Sequence, residues 1–578
     1  MNKIYRRLIS LFLAIVLLTG CSAQNNQSSN NLKTQITYEN ISEFMNALGE
    51  HNPNQVDYSE MKYERPDVDE LTKHVADVQE ALEKDSIDDV KKCLDISFDD
   101  FSNFVTMNQI AEVHNYHDLR DEFYINESNW LGETAPIVDQ LKDELYFSVG
   151  GSKFGKDLES EYFWEGFCDE YANPDDSYFN EKTVALMQKE NDLINEYHLL
   201  MADPKITYKG KEESFNVLID SIEDSQEYVD VLMLFYEKYN EPAAELMIEL
   251  VKTRNDLAKE MGFKNYEEMQ YQYEYVRDFT PEDVSVLDAD IKEHLAPLYR
   301  EAIYSGKYLE IETYDMPVDE TYGIIKNVMT NMNDITKESF EFMDKYHLYD
   351  IEIDPYKANT SFQTYFNDYD SPFLFMDSMG TSYDLMTFAH EFGHFTEAYV
   401  NFNFDESVDL AECYSQALEY LTLFHLESVC DSEMVKNIRT NKLLDTLGVF
   451  VEESARNEFE KELYSTPVEE LSAEKINEIF GRKMEEYQIS DAFTTEIHKY
   501  GWMEVPHLFE APFYVISYPV SCHVAFQIYV LESENSGAGL NTFLNILPRE
   551  STNLLDVIEV GNLQSPFEKG SVKKLAEI

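Results

Sequence analysis

The sequence predicts a mainly helical protein with one small sheet beside a helix that carries the pattern H-E-x-x-H. Three observations predict it. Long stretches repeat apolar residues at spacings of three and four, as the buried face of a helix requires. One stretch, Asn359 to Asp384 ("NTSFQTYFNDYDSPFLFMDSMGTSYD"), is instead rich in aromatics, holds Pro and Gly, and lacks that period, which predicts one or two strands with turns. It runs straight into "LMTFAHEFGHFTEAYV", Leu385 to Val400, where His390 and His394 flank Glu391.

Taken in order, the first residues stand apart from the fold. "MNKIYRRLISLFLAIVLLTGC" opens with Lys3, Arg6 and Arg7 and continues with an apolar core from Leu8 to Leu18. That core is shorter than the roughly 20 residues a spanning helix needs, so 1–20 has the shape of a secretory signal. Its end, Leu18-Thr19-Gly20-Cys21, resembles the bacterial lipobox. The resemblance implies cleavage before Cys21, a lipid on its thiol, and an anchor in a bacterial membrane on the outward or periplasmic side. Residues 21–35 are polar and low in complexity and read as a flexible tether. The remaining five cysteines are scattered and form no C-x-x-C pair, so they read as thiols rather than as a disulfide framework.

The body is expected to divide into an N-terminal helical region, 36–200, and a second region, 201–578, that carries the H-E-x-x-H helix. "VDELTKHVADVQEALEKD" and "NEKTVALMQKENDLINEYHLLMAD" are amphipathic helices of the first region. Beside the boundary, "DPKITYKGKEES" alternates and predicts a hairpin. "PAAELMIELVKTRNDLAKEMG" is a helix ending at Gly262, and "TPEDVSVLDADIKEHLAPLYREAIY" begins at Thr280 as N-cap with Pro281 as its first residue. At 578 residues the chain has length for two lobes or one large α-rich body. With 45 Lys+Arg against 112 Asp+Glu, the net charge is −67, which makes nucleic acid a poor partner. An acidic cleft that attracts basic peptides and a merely solvated acidic surface both fit that charge.

The chemistry is carried by the H-E-x-x-H helix. A helix turns about 100° per residue, so His390 and His394 lie one above the other and aim two imidazoles at one ion. Glu391 lies beside that face, free to act as a base on a water. Zinc lowers the pKa of bound water to about 7, which explains why two His and one Glu occur together. A third protein ligand is needed. "DLAECYSQALEYLTLFHLESV", Asp409 to Val429, supplies Glu412, Gln416 and Glu419 on one helical face. Glu412 follows His390 closely enough for a turn and a returning helix, which makes it the candidate ligand. Glu419 is the candidate for holding a ligand His by its second nitrogen. His114 and His117 lack such a Glu and read as surface or packing residues.

"FAHEFGHFTEAY" followed by "AECYSQALEYL" resembles the M3 metallopeptidases, the thimet oligopeptidase and oligoendopeptidase F group. "YERPDVDEL", "LAKEMGFKNYEEM", "DFTPEDV" and "PFLFMDSMGTSYDLMTFAHE" extend the likeness from about residue 40 to the end. One departure is Met-Asp-Ser-Met before Gly380-Thr381, where relatives often have Asn-Phe. The resemblance implies a two-lobed helical zincin with a deep substrate channel, one Zn²⁺ per chain on His390, His394 and Glu412, and Glu391 as base. It implies short peptides as substrates. It also makes His507 and Tyr518 candidates for stabilising the oxyanion, with Tyr514 and Gly380 as substrate-binding candidates. On spacing alone the tyrosines are core aromatics with a polar tip. Two other readings stay open: a peptide-binding lipoprotein without catalysis, and a zinc carboxypeptidase.

Overall fold

The computed structural model describes residues 55–576 except 85, 165, 175–176, 223, 307–310, 402–406, 492–493 and 549–550. The predicted signal, the tether and Cys21 lie outside the described residues. No helix among the described residues is long and apolar enough to cross a membrane.

The described residues are mainly helical and hold two hydrophobic cores. Helices α1 (Val68–Glu83), α2 (Ile87–His117) and α3 (Glu122–Gly150) close the smaller one. Leu71, Val75, Val78, Val90, Leu94, Leu131 and Leu145 fill it. Asp67 caps α1 by accepting from the Glu70 N–H at 3.0 Å. Helix α4 (Glu181–Ala202) belongs to the larger core, packed on α5 (Ser225–Glu260).

The predicted hairpin is present between those two helices, as β1 (Lys205–Tyr208) and β2 (Lys211–Ser214). Its two-residue turn puts Lys209 at φ 46° and Gly210 at φ 78°, the left-handed pair that matches strand twist. Helix α5 starts well before Pro242 and runs through it. Apolar residues on both sides of the proline, Val231, Leu232 and Phe235 before it and Ala243, Met247 and Leu250 after it, are all buried in the larger core. That burial offsets the one backbone bond the proline removes. The helix stops where the sequence predicts. Gly262 takes φ 89° and the Phe263 N–H donates back to the Ala258 carbonyl at 2.9 Å. Thr280 and Asp283 form a reciprocal capping box at the start of α6 (Pro281–His294).

The aromatic stretch forms the expected small sheet. Strands β3 (Tyr349–Asp350), β4 (Phe362–Phe366) and β5 (Ser371–Phe375) lie in the order β3-β5-β4, with β5 antiparallel to β4 and parallel to β3. β5 leads towards the H-E-x-x-H helix, yet it is the central strand and buried throughout, so it has no free edge for a peptide. β3 and β4 are the outer strands.

Four long helices then build the centre: α7 (Asp384–Asn401), α8 (Val408–His425), α9 (Ser432–Ser465) and α10 (Ser517–Glu534). α8 is packed between α7 and α10. Its residues from Glu412 to Leu423 are all buried. A helix covered on every side needs no polar face, which is why polar side chains on α8 stand out chemically.

Candidate active site

Asp384 fixes the start of α7. Its carboxylate accepts from the N–H groups of Met379 at 3.0 Å, Gly380 at 2.8 Å and Thr381 at 3.3 Å. This anchors the turn that aims the first helical residues at the core. Gly380 has φ 71°, and its carbonyl accepts from Met316 N at 2.8 Å. A glycine has only backbone to offer, and both groups are engaged here. Its place is in the turn, with its N–H bonded to the Asp384 carboxylate.

One helical turn brings His390 and His394 together, with their Nε2 atoms 3.3 Å apart. Glu412 enters from α8, its Oε2 at 3.5 Å from His390 Nε2. One ligand atom from each of the three lies within 4.8 Å of the others. The approach of α7 and α8 depends on Gly393. A Cβ built there would stand 2.5 Å from the Ser415 Cα, a backbone atom with no room to yield. Glycine in H-E-F-G-H is therefore a packing requirement that lets the two ligand-bearing helices meet.

Each donor is held from behind. His390 Nδ1 is 2.9 Å from Glu419 Oε1, and Glu419 is in turn ion-paired with half-buried Lys442. Burial works against a charged His390, but the bond to Glu419 and the charges of Glu412, Glu419 and Glu391 outweigh it and raise its pKa to about 9. Burial and the neighbouring His390 push His394 well below its ordinary value. The Glu419 carboxyl is lowered, because Lys442 and His390 overcome its burial. Glu412 accepts from Tyr514 Oη at 3.1 Å through Oε1 and from Ser415 Oγ at 3.3 Å through Oε2. Burial raises its pKa.

Glu391 is 1 % exposed, and neither carboxylate oxygen has a hydrogen-bond partner among the described residues. Burial pushes its pKa up to about 8, with His390 opposing. A buried carboxyl without a partner is costly unless something else meets it. The donor set fits a zinc ion. Ligand atoms about 2.0–2.2 Å from a tetrahedral centre lie roughly 3.3–3.6 Å from one another. The two short separations here match that spacing. Two imidazole nitrogens and a carboxylate oxygen converging on one point are what a cation would hold together.

His507, Tyr514 and Tyr518 stand beside this cluster. His507 sits in the short helix Pro506–Glu510, with its ring centroid 5.5 Å from Tyr514 and 6.2 Å from Tyr518. The two tyrosine rings are 5.4 Å apart. Burial and then the Glu412 charge hold both phenols far above their ordinary pKa, so both remain hydrogen-bond donors. Tyr514 touches a metal-ligand candidate directly. Gln416, on the same α8 face as Glu412 and Glu419, donates to the Tyr518 carbonyl at 3.4 Å. His425, His498 and His523 lie outside this group, with burial lowering the pKa of each.

Sequence reasoning missed the groups that tie the site together. Lys442 lies on α9 and Arg277 in the loop before α6. Arg277 pairs with Asp409, the second residue of α8, at 3.0 Å. No local pattern joins residues this far apart in the chain.

Known proteins share this architecture. Residues 58–167 match the family model of the peptidase M3 N-terminal domain. The chromosomal oligoendopeptidase F of Lactococcus lactis subsp. cremoris is 26% identical over 328 residues, covering 52% of this chain and 54% of that protein. The match thus spans about half the length of the curated relative. The structure of Pz peptidase A with an inhibitor superposes with a TM-score of 0.78 at 23% identity, covering 90% of this chain and 97% of that one. A Bacillus anthracis str. Ames protein assigned to oligoendopeptidase F gives 0.75 at 22% identity, covering 91% and 97%. The chain is thus similar to M3 peptidases in its N-terminal domain, to an oligoendopeptidase F in sequence over about half its length, and to structures of that group in fold over nine-tenths of it.

Proposed function

We propose that this protein is a zinc-dependent endopeptidase that hydrolyses short, unfolded peptides. The observation that carries the reading is the convergence of His390, His394 and Glu412 around one point, with the buried, unpartnered carboxylate of Glu391 beside them. A bound Zn²⁺ supplies Lewis acidity to the peptide carbonyl and to water. The protein does the rest. Glu391 takes the proton of the attacking water and returns it to the leaving amine. Tyr518, with His507 beside it, donates to the carbonyl oxygen as negative charge develops there. Tyr514 steadies Glu412 through its hydroxyl. Glu419, braced by Lys442, fixes the His390 ring with Nε2 turned towards Glu412 and His394, the residues that would hold the metal with it.

The test is digestion of unstructured peptides of graded length, with and without a chelator, followed by mass spectrometry. Internal cuts that vanish with chelator and return with zinc support the reading. Stepwise loss from the C-terminus would replace it with a carboxypeptidase. Tight peptide binding without any cut would replace it with a peptide-capturing protein.

The leader motivates a proposal about location: the chain is held by a lipid on Cys21 at a bacterial membrane, facing outward or into the periplasm. Cys21→Ser is expected to shift the protein from the membrane fraction to the soluble one. Unchanged membrane association of that variant would refute the anchor.

A further inference from the structure

We propose that Arg277 is a positioning residue that sets the geometry between Glu412 and the tyrosines opposite it. This deepens the peptidase reading above and rests on it. The Arg277 guanidinium is fully buried. Its Nε bonds Asp409 at 3.0 Å, and one terminal nitrogen donates to the Phe513 carbonyl at 2.8 Å and to Ser517 Oγ at 2.9 Å. It lies against the rings of Tyr271 and Tyr275, at 4.5 and 4.6 Å from their centroids. One side chain thus joins the start of the Glu412 helix to the segment that carries Tyr514 and leads into Tyr518.

The backbone around this joint is held in a costly shape. Phe513 has φ 63° and Val276 has φ 45°. A bulky aromatic and a β-branched residue rarely adopt the left-handed region, and such residues persist only where the surroundings over-determine them. The surroundings do so here. The Phe513 N–H donates to buried Glu460 at 3.0 Å, while Tyr275 Oη donates to the Pro512 carbonyl at 2.9 Å. Arg277 itself follows Val276, three residues beyond a π-helical turn, Gln270–Glu274. A π-turn inserts an extra residue and redirects the chain, often at functional sites.

The consequence falls on the next residue. Tyr514 follows Phe513 and donates to Glu412 Oε1 at 3.1 Å. Asp409 lies one helical turn before Glu412, and its carbonyl accepts from Ser521 Oγ at 2.5 Å. Arg277 and Ser521 therefore pin both partners of the Tyr514–Glu412 bond relative to each other. A lysine would keep the positive charge but lacks the planar fork that reaches Asp409, Phe513 and Ser517 together.

The test is Arg277→Lys, alone and combined with Tyr514→Phe. Loss of fine positioning is expected to lower kcat about 30-fold with KM within about 3-fold of wild type. In the Tyr514→Phe background the same change is expected to cost less than about 3-fold, because the bond it positions is already gone. A cost equal in both backgrounds would overturn the proposal and leave Arg277 a stability residue. Co²⁺-loaded protein gives a readout independent of turnover. The visible absorption of Co²⁺ in folded Arg277→Lys is expected to shift from wild type as Glu412 reorients. An unshifted spectrum overturns the proposal, whether or not the wild type cleaves any peptide. A wild type that binds Co²⁺ but cleaves nothing defeats the peptidase reading separately. If Arg277→Lys does not fold, Ser517→Ala, which removes one of the three contacts, is expected to show the same coupling to Tyr514→Phe, and additive costs there overturn the proposal equally.

Discussion

Glu391→Gln is expected to keep the metal and lose turnover by about 10³- to 10⁴-fold. The side chains are nearly the same size, and Glu391 is not among the three residues whose ligand atoms converge. The fold around it is tight, since Glu391 is buried together with Phe388, Ala389 and Phe392 on α7. An amide fits that volume and still cannot accept a proton from water. Both carboxylate oxygens lack a protein partner, so the substitution breaks no structural hydrogen bond among the described residues. Thermal stability should therefore stay close to wild type while kcat collapses. The check is kcat on an internally quenched peptide together with bound zinc measured on the same sample. Activity within tenfold of wild type at full zinc would remove Glu391 from the role of base.

Much of this centre was legible in the sequence because its geometry is local. The i, i+4 spacing of His390 and His394 dictates a shared face on any helix. The same rule places Glu412, Gln416 and Glu419 on one face of α8, where the three side chains do different things. Glu412 clusters with the histidines, Gln416 bonds the Tyr518 carbonyl, and Glu419 holds His390 Nδ1. Hairpin and helix ends were equally local: Lys209-Gly210 turns, Gly262 stops, Thr280 caps.

What the sequence withheld is long-range or strained. Arg277 meets Asp409, Lys442 meets Glu419, and Glu460 meets the Phe513 N–H across gaps that no periodicity spans. Phe513 and Val276 adopt a backbone region their residue types disfavour, so propensity argues against the observed conformation. The central place of β5 was hidden for a similar reason. Its partner β3 is only two residues long and lies upstream of β4, so nothing near β5 signals a parallel neighbour. Local consistency fails where the site needs it to fail, because aiming Tyr514 at Glu412 requires a turn that ordinary residues resist.

Removing Glu412 should weaken zinc binding more than removing any group behind the ligands. Glu412→Ala takes away the one ligand donated by α8 and leaves two imidazoles on one helix. It also removes the acceptor of the Tyr514 hydroxyl, while Ser415 Oγ keeps its bond to the backbone carbonyl of residue 412. Lys442→Met acts at one remove. It leaves the Glu419 carboxylate buried without its cation, which favours protonation of Glu419 and loosens its hold on His390 Nδ1. Loss of such an outer partner costs about 10- to 100-fold in metal affinity. Glu412→Ala should exceed about 100-fold on the same scale. Competition against a chelator of known zinc affinity measures both. The order matters more than either value. If Lys442→Met proved as damaging as Glu412→Ala, Glu412 would not be a ligand, and the zinc would have to sit on His390 and His394 with some other donor. If Glu412→Ala alone abolished binding, the centre would be defined by two helices that touch only because residue 393 has no side chain.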